Sequence, residues 1–312
     1  MGGPAVLCLE YSDSITASPN DLLDQAIVML NRLEARYSRY RDDSLISLIN
    51  ARAGSNTFTP LDAETDALIS LGDQLWRESN GLFDLTSGVL RHVWNFQDTS
   101  QASPEDLKRW LPLVGWDRVE KDHRGIHLPV AGMEIDLGGL AKEYAVDAVI
   151  DFLRRQGAAS ALVNLAGDIA TIGSQQSGEP WQVGIRDPRC SGSAISVELV
   201  DSAIATSGTY ERVLSSDGRV ISHLLNPKTG LPTGGPESVT VIDRHCLTAG
   251  AIATVACLQD MSGATAWLQR SELPWLLIDP EHRMSGPIAD TPRAAHSDDR
   301  TPETTNSLNE HK

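Results

Sequence analysis

Apolar residues recur at helical spacing from residue 20 onward. In "PNDLLDQAIVMLNRLEARYSRY", Leu23, Ile27, Leu30 and Leu33 form one stripe, which predicts a helix that Asn20 or Asp21 could cap. Before it, "AVLCLEY" (5–11) reads as an opening strand. "DDSLISLIN" predicts a short second helix, and "LDAETDALISLGDQLWRESN" a third that ends at Gly81. Residues 82–130 are mixed and hold Trp94, Trp110 and Trp116, with a Ser-Pro-Glu helix start in "SPEDLKRWL".

"EIDLGGLAKEYAVDAV" (134–149) changes period halfway. Ile135 and Leu137 alternate with Glu134 and Asp136 as in a strand. After two glycines, Leu140, Tyr144 or Ala145, and Ala148 follow helical spacing. The helix is expected to run from Gly139 to about Arg155 and to stop at Gly157. Between 160 and 243 the pattern is mostly strand: "SALVNLA", "DIATIG", "WQVGIR", "AISVELV", "SAIAT", "RVISHLL" and "SVTVID", with turns rich in Gly, Ser, Asp and Pro. Helices near 247–258 and 262–270 and a late strand "WLLID" complete the pattern. From about residue 286 the chain is polar and aperiodic, which predicts one domain over 1–285 and a disordered tail over 286–312. Interleaved helices, with strands clustered late and joined by hairpin-like turns, favour an α+β fold.

Composition adds exclusions. Hydrophobic residues make up 41% and charged residues 22% of 312 residues, with a net charge of −16. Without a run of Lys or Arg, such a chain is a poor binder of nucleic acid or anionic membranes. No stretch approaches the roughly 20 apolar residues of a membrane span. The N-terminus has no basic segment followed by an apolar one, so the expectation is a cytoplasmic protein, or a periplasmic one if the N-terminus is truncated. Cys8, Cys190, Cys246 and Cys257 stand alone, without CxxC spacing, and read as buried or incidental thiols.

Six stretches carry residues suited to chemistry. In 134–149, a glycine pair before a helix start lets an anionic ligand approach unpaired N–H groups. Asp136 could accept from a heterocycle or hydroxyl and Lys142 could face a phosphate, although a plain glycine turn with a surface Lys fits equally. In "NLAGDIATIG", Asn164 and Asp168 flank a turn they could simply close. In "AIATSGTYER", Thr206 and Ser207 precede Gly208 and suit phosphate, or just a turn. His223 in "ISHLLNPKTGLPT" is a candidate base or a structural histidine. Thr248, Gly250 and Thr254 in "CLTAGAIATVAC" lie near one helical face that could equally serve packing. "YSRYRDDS" and "GLFDLTSG" offer Tyr37 and Tyr40 for stacking and Asp84 as an acceptor.

In this order, "YSRYRDDSLISLIN", "GLFDLTSG", "DLGGLAKEYAVD", "NLAGD", "ATSGTYE", "HLLNPKTGLP" and "TAGAIAT" resemble the ApbE family of FAD:protein FMN transferases, from about Met1 to about Asp279. The resemblance implies a mixed α+β fold with a largely antiparallel sheet. It implies a reaction that splits the FAD pyrophosphate, releases AMP and joins FMN by a phosphoester to a Thr or Ser of a target protein bearing a Ser/Thr-Gly-Ala-Thr motif. It places Met1, Tyr40, Leu82, Phe83, Asp84, Asp136, Lys142, His223 and Leu224 at FAD, with His223 as candidate base, and Thr206 and Ser207 are read as further FAD contacts from their hydroxyls. It also places magnesium at Gly139, residue 250 and Thr254. Three positions depart from the family pattern: Gly250 replaces the usual Asp, while Glu143 and Ala166 each replace a usual Gly. Losing the carboxylate at 250 should slow phosphoryl transfer, unless Asp243, Asp168 or another carboxylate substitutes in space. An FAD-binding protein with weak or lost transferase activity and an FAD pyrophosphatase are therefore the alternatives. "DMSGATAW" (260–267) resembles the acceptor motif, with Thr265 as a self-modification site, but it also reads as a helix start capped by Ser262.

Overall fold

The stripe of the first helix lies one residue from its expected place. In a computed structural model that describes residues 3–10, 17–94, 103–190, 192–209, 213–216, 219–222 and 224–290, α1 (Pro19–Tyr37) buries Leu22, Ala26, Leu30, Leu33 and Tyr37. Ile27 is exposed. The doublets Leu22-Leu23 and Ala26-Ile27 offered two faces, and the one with the small Ala26 packs against the later helix α5 (Ala141–Arg155). Ser18 in extended conformation and Pro19 start α1, with no side-chain cap, so neither Asn20 nor Asp21 caps it.

Strand β1 (Ala5–Leu9) precedes α1. Helices α2 (Leu45–Ala51), α3 (Ala63–Glu78) and α4 (Pro104–Trp110) follow it, each capped by a side chain accepting from the first turn: Ser44, Asp62 and Ser103. A short hairpin, β2 (Glu120–Asp122) with β3 (Gly125–His127), leads to residues 134–137, which belong to no ladder strand, and a turn at 138. There Asn50 takes the place of a neighbouring strand: its side chain accepts from Ile135 N–H at 2.7 Å and donates to Ile135 C=O at 3.0 Å. Asp136 N–H donates to Leu85 C=O at 2.9 Å.

After α5 come β4 (Ala161–Leu165), β5 (Asp168–Ile172), β6 (Trp181–Arg186), β7 (Ser193–Leu199), β8 (Ala203–Gly208), β9 (Val213–Ser216), β10 (Arg219–Ser222) and β11 (Ser238–Asp243). Helices α6 (Cys246–Cys257) and α7 (Met261–Ser271) and strands β12 (Trp275–Ile278) and β13 (Met284–Ser285) follow. The main sheet has the order β1-β4-β5-β8-β11-β12-β13, and its pairs are antiparallel. Alternation sorts its side chains. Ala170, Ala203, Ala205, Val239 and Val241 join the core shared with the helices. Ile169, Ile204, Leu276 and Ile278 meet the β6–β7 hairpin on the other side. Ile288 packs there as well, so packed chain extends past residue 286.

Two local details differ from the sequence pattern. Asp260, not Ser262, caps α7, accepting from Gly263 N–H at 2.7 Å, while Ser262 donates to Asp260 at 2.9 Å. Helix α6 has no side-chain cap of its own. Asp147 on α5 caps it from outside, accepting from Cys246 N–H at 2.7 Å and Leu247 N–H at 2.9 Å. Burial pushes the Asp147 carboxyl above its usual range, and the two N–H donors oppose that shift. Among the described residues no helix is long and apolar enough to cross a membrane.

Asp147→Ala would leave two part-buried N–H groups without their acceptor. The expected cost is about 2 kcal/mol in denaturant unfolding. A change below about 0.5 kcal/mol, the scale of an ordinary surface substitution, would show that the cap does not hold α6 in place.

Candidate functional site

The cap by Asp147 sets the register of two antiparallel helices. One turn from Asp147 toward the start of α5 is Glu143, and one turn further into α6 is Gly250. A Cβ at Gly250 would stand 2.5 Å from Glu143 Cγ, 3.2 Å from its Cδ and 3.3 Å from its Oε1. Another turn along, Gly139 lies just before α5 and Thr254 sits on α6. A Cβ at Gly139 would be 4.0 Å from Thr254 Cγ2 and 3.3 Å from Phe83 Cε2. The glycines at 250 and 139 therefore mark close approaches.

The sheet adds three groups. Asp168, on the helix-facing side of β5, pairs with Lys142 Nζ at 2.6 Å and accepts from Thr206 N–H at 3.3 Å. Ser207 shares a 2.7 Å hydrogen bond with Thr254 Oγ1. Thr206 faces the other side of the sheet, where its hydroxyl pairs with Thr240 at 2.8 Å, so only its backbone N–H reaches the cluster. The two hydroxyls expected to act together are split by strand alternation.

Glu143 is 6% exposed, and its Oε2 has no hydrogen-bond partner among the described residues. Burial, then the neighbouring Asp168 carboxylate, pushes its carboxyl up to about 8, with Lys142 opposing the shift. Glu143 is thus held as a neutral acid in contact with Asp168, whose own charge is met by the Lys142 ammonium, and the two carboxyl groups together offer oxygens to an added cation. Among the described residues no three His, Cys, Asp or Glu side chains cluster as a metal site. Any further ligands here would be hydroxyl or carbonyl oxygens, the donors magnesium prefers, and the donor set fits that ion.

A second group adjoins the start of α5. Asp136 accepts from Gly138 N–H at 3.0 Å and pairs with Arg39 at 2.8 Å. Arg39 also donates to the Tyr40 hydroxyl at 3.1 Å and to Gly88 C=O at 3.2 Å. Tyr40 is 69% exposed and offers its ring as a stacking surface. Arg39 escaped the sequence reading, although it lies between the two tyrosines of "YSRYRDDS".

Other candidates are committed elsewhere. Tyr37 is a core residue whose hydroxyl bonds Thr65 at 3.2 Å. Asp84 is buried and accepts from Thr86 N–H, Thr86 Oγ1 and Trp116 N–H, so it braces the turn after Phe83. Asn164 closes its own turn by accepting from Gly167 N–H at 2.9 Å, across Ala166 at φ 53°. Thr248 is exposed on α6, unlike Gly250. Asp243 accepts from His245 N–H at 3.2 Å and lies opposite Ala203, four residues and roughly 13 Å along β8 from Ser207. Thr265 Oγ1 donates to Met261 C=O at 2.9 Å, so its hydroxyl is committed within α7. Leu82 is half-buried, and Leu224 N–H donates to Ser222 Oγ at 3.0 Å. Met1 and His223 lie outside the described residues.

The model of the ApbE family matches residues 7–277. The FAD:protein FMN transferase of Vibrio cholerae is 28% identical over 257 residues, covering 80% of this chain and 77% of the relative. That of Treponema pallidum is 30% identical over 298 residues, covering 88% and 81%. Among solved structures, the flavin transferase ApbE from Vibrio cholerae superposes with a TM-score of 0.82 at 26% identity, covering 92% of this chain and 93% of the other. The apo flavinyl transferase ApbE of Pseudomonas stutzeri gives 0.80 at 29% identity, covering 90% of each.

Gly250→Ala drives a methyl into the Glu143 side chain. It should destabilise by about 1–3 kcal/mol, although alanine is the better helix former. Glu143→Ala in the same chain should remove most of that penalty, and a double-mutant cycle in urea measures the coupling. Additive effects would mean that the two positions do not touch.

Proposed function

The chain belongs to the ApbE family, and we propose that it is an FAD:protein FMN transferase whose reacting phosphates rest at the start of α5. The carrying observation is the convergence of Gly139, Lys142, Ser207 and Thr254 at one helix start. Backbone N–H groups at a helix N-terminus, an ammonium and hydroxyls suit a pyrophosphate.

In the reaction, a Thr or Ser oxygen of the acceptor bonds to the flavin-side phosphorus of FAD. The bond from that phosphorus to the bridging oxygen breaks, and AMP leaves with the oxygen. The hydroxyl proton passes to a base, the role that His223 holds by its motif. The Tyr40 ring packs on the flavin, with Arg39 and Asp136 fixing its orientation. Phe83 and Leu82 line the pocket, and Leu224 adjoins it. Asp84 acts at one remove by holding the Phe83 turn. Lys142, oriented by Asp168, balances phosphate charge. The Gly139 carbonyl and the Thr254 hydroxyl would hold magnesium, which supplies charge neutralisation on the phosphate oxygens. The acceptor is a protein with a Ser/Thr-Gly-Ala-Thr motif.

Incubation with FAD, magnesium and such an acceptor should add the mass of FMN to the acceptor and release AMP in equal amount. FAD binding without AMP release would contradict the reading, and free FMN with an unmodified acceptor would mark hydrolysis instead. Tyr40→Ala should weaken FAD binding about two- to tenfold in calorimetry, the scale of one aromatic stacking contact.

A further inference from the structure

We infer that Glu143 supplies the carboxylate ligand of the metal from α5, in place of the side chain missing at Gly250 on α6. The inference rests on the transferase reading and concerns which of this chain's own residues completes the site.

Three observations carry it. First, the Glu143 side chain occupies the space that a side chain at 250 would need, with Cγ 2.5 Å and Cδ 3.2 Å from a Cβ built there. Glutamate at 143 and any larger residue at 250 clash unless one of them shifts, while Glu143 with Gly250 keeps one carboxyl group in the gap between the helices. Second, Glu143 is 6% exposed and Oε2 has no hydrogen-bond partner among the described residues. A buried side-chain oxygen without a protein donor is the kind of group that an ion or a water satisfies. Third, the nearby alternatives are occupied or distant. Asp168 Oδ2 also lacks a hydrogen-bond partner among the described residues, but its charge is met by Lys142 Nζ at 2.6 Å, and its Oδ1 accepts from Thr206 N–H at 3.3 Å. Asp243, on β11, lies opposite Ala203, at the far end of β8 from Ser207. Asp147, one turn along α5, spends both oxygens on Cys246 and Leu247.

The glutamate side chain is one methylene longer than aspartate, and it starts from the opposite helix. It reaches the same gap because the two helices are antiparallel and the glycine lets it cross. Gly139 lies about one turn before Glu143, just ahead of α5, and Thr254 one turn after Gly250, so a cation in the gap could take oxygen donors from all three.

Manganese, readable by electron paramagnetic resonance, is the probe for the magnesium site. Wild-type protein saturated with FAD should bind one manganese ion. Glu143→Gln keeps the shape but lacks the charge, and should weaken that binding at least about tenfold while retaining FAD affinity. The exchange variant Glu143→Gly/Gly250→Asp should restore manganese binding to within a few-fold of wild type. A Glu143→Gln protein that binds FAD and manganese like wild type overturns the assignment alone. Wild type that binds no FAD overturns both the assignment and the transferase reading.

Discussion

The register of α5 against α6 is the constraint on which the site depends. Asp147 accepts from the first two N–H groups of α6, and the antiparallel run of both helices then brings Glu143 to Gly250 and Gly139 to Thr254. A side-chain carboxylate is suited to this role because it satisfies two N–H groups at once and interacts favourably with the helix N-terminus. Residues of α6 are small and mostly buried, including Ala249, Gly250, Ala251, Ala253 and Ala256, so the helix can sit close to both α5 and the sheet. With side chains this small, packing alone leaves sliding of α6 weakly opposed. The polar cap opposes it.

The sheet completes the site through strand alternation. Asp168 and Ser207 point to the helices, whereas Ile169 and Ile204 point to the β6–β7 hairpin and Thr206 shares their face, bonded to Thr240. The hairpin covers the far face and leaves the near face to hold charged groups. Those groups are held at some energetic cost: Glu143 and Asp168 are both buried, and Lys142 is paired to the second. Local instability of this kind is common where a protein must bind a charged ligand, because the ligand supplies what the fold leaves unmet.

Much of the fold was legible in the sequence. Helix α5 between Gly139 and Gly157, the capped start at Ser103 and the succession of strands after 160 follow from glycines, caps and alternation, which act locally. A distant partner decided several details: the face of α1 was set by α5, residues 134–137 are held by Asn50, and α6 is capped from outside by Asp147, whereas the α7 cap differs only locally, Asp260 standing two residues before the expected Ser262. Of the candidate residues, Tyr40, Asp136, Lys142, Ser207 and Thr254 kept exposed or cluster-facing positions, while Tyr37 and Asp84 proved to brace the core.

The sequence by itself determined the element types, the antiparallel α+β class and, through its ordered motifs, the ApbE family with its flavin chemistry, because local periodicity and short motifs survive without knowledge of contacts. It also held both unusual residues, Glu143 and Gly250, as unconnected departures. Only the tertiary structure decided that they are one feature, since the contact between them depends on how two helices far apart in the chain are laid side by side. That geometry comes from packing and from one long-range polar cap, neither of which leaves a periodic trace in the sequence.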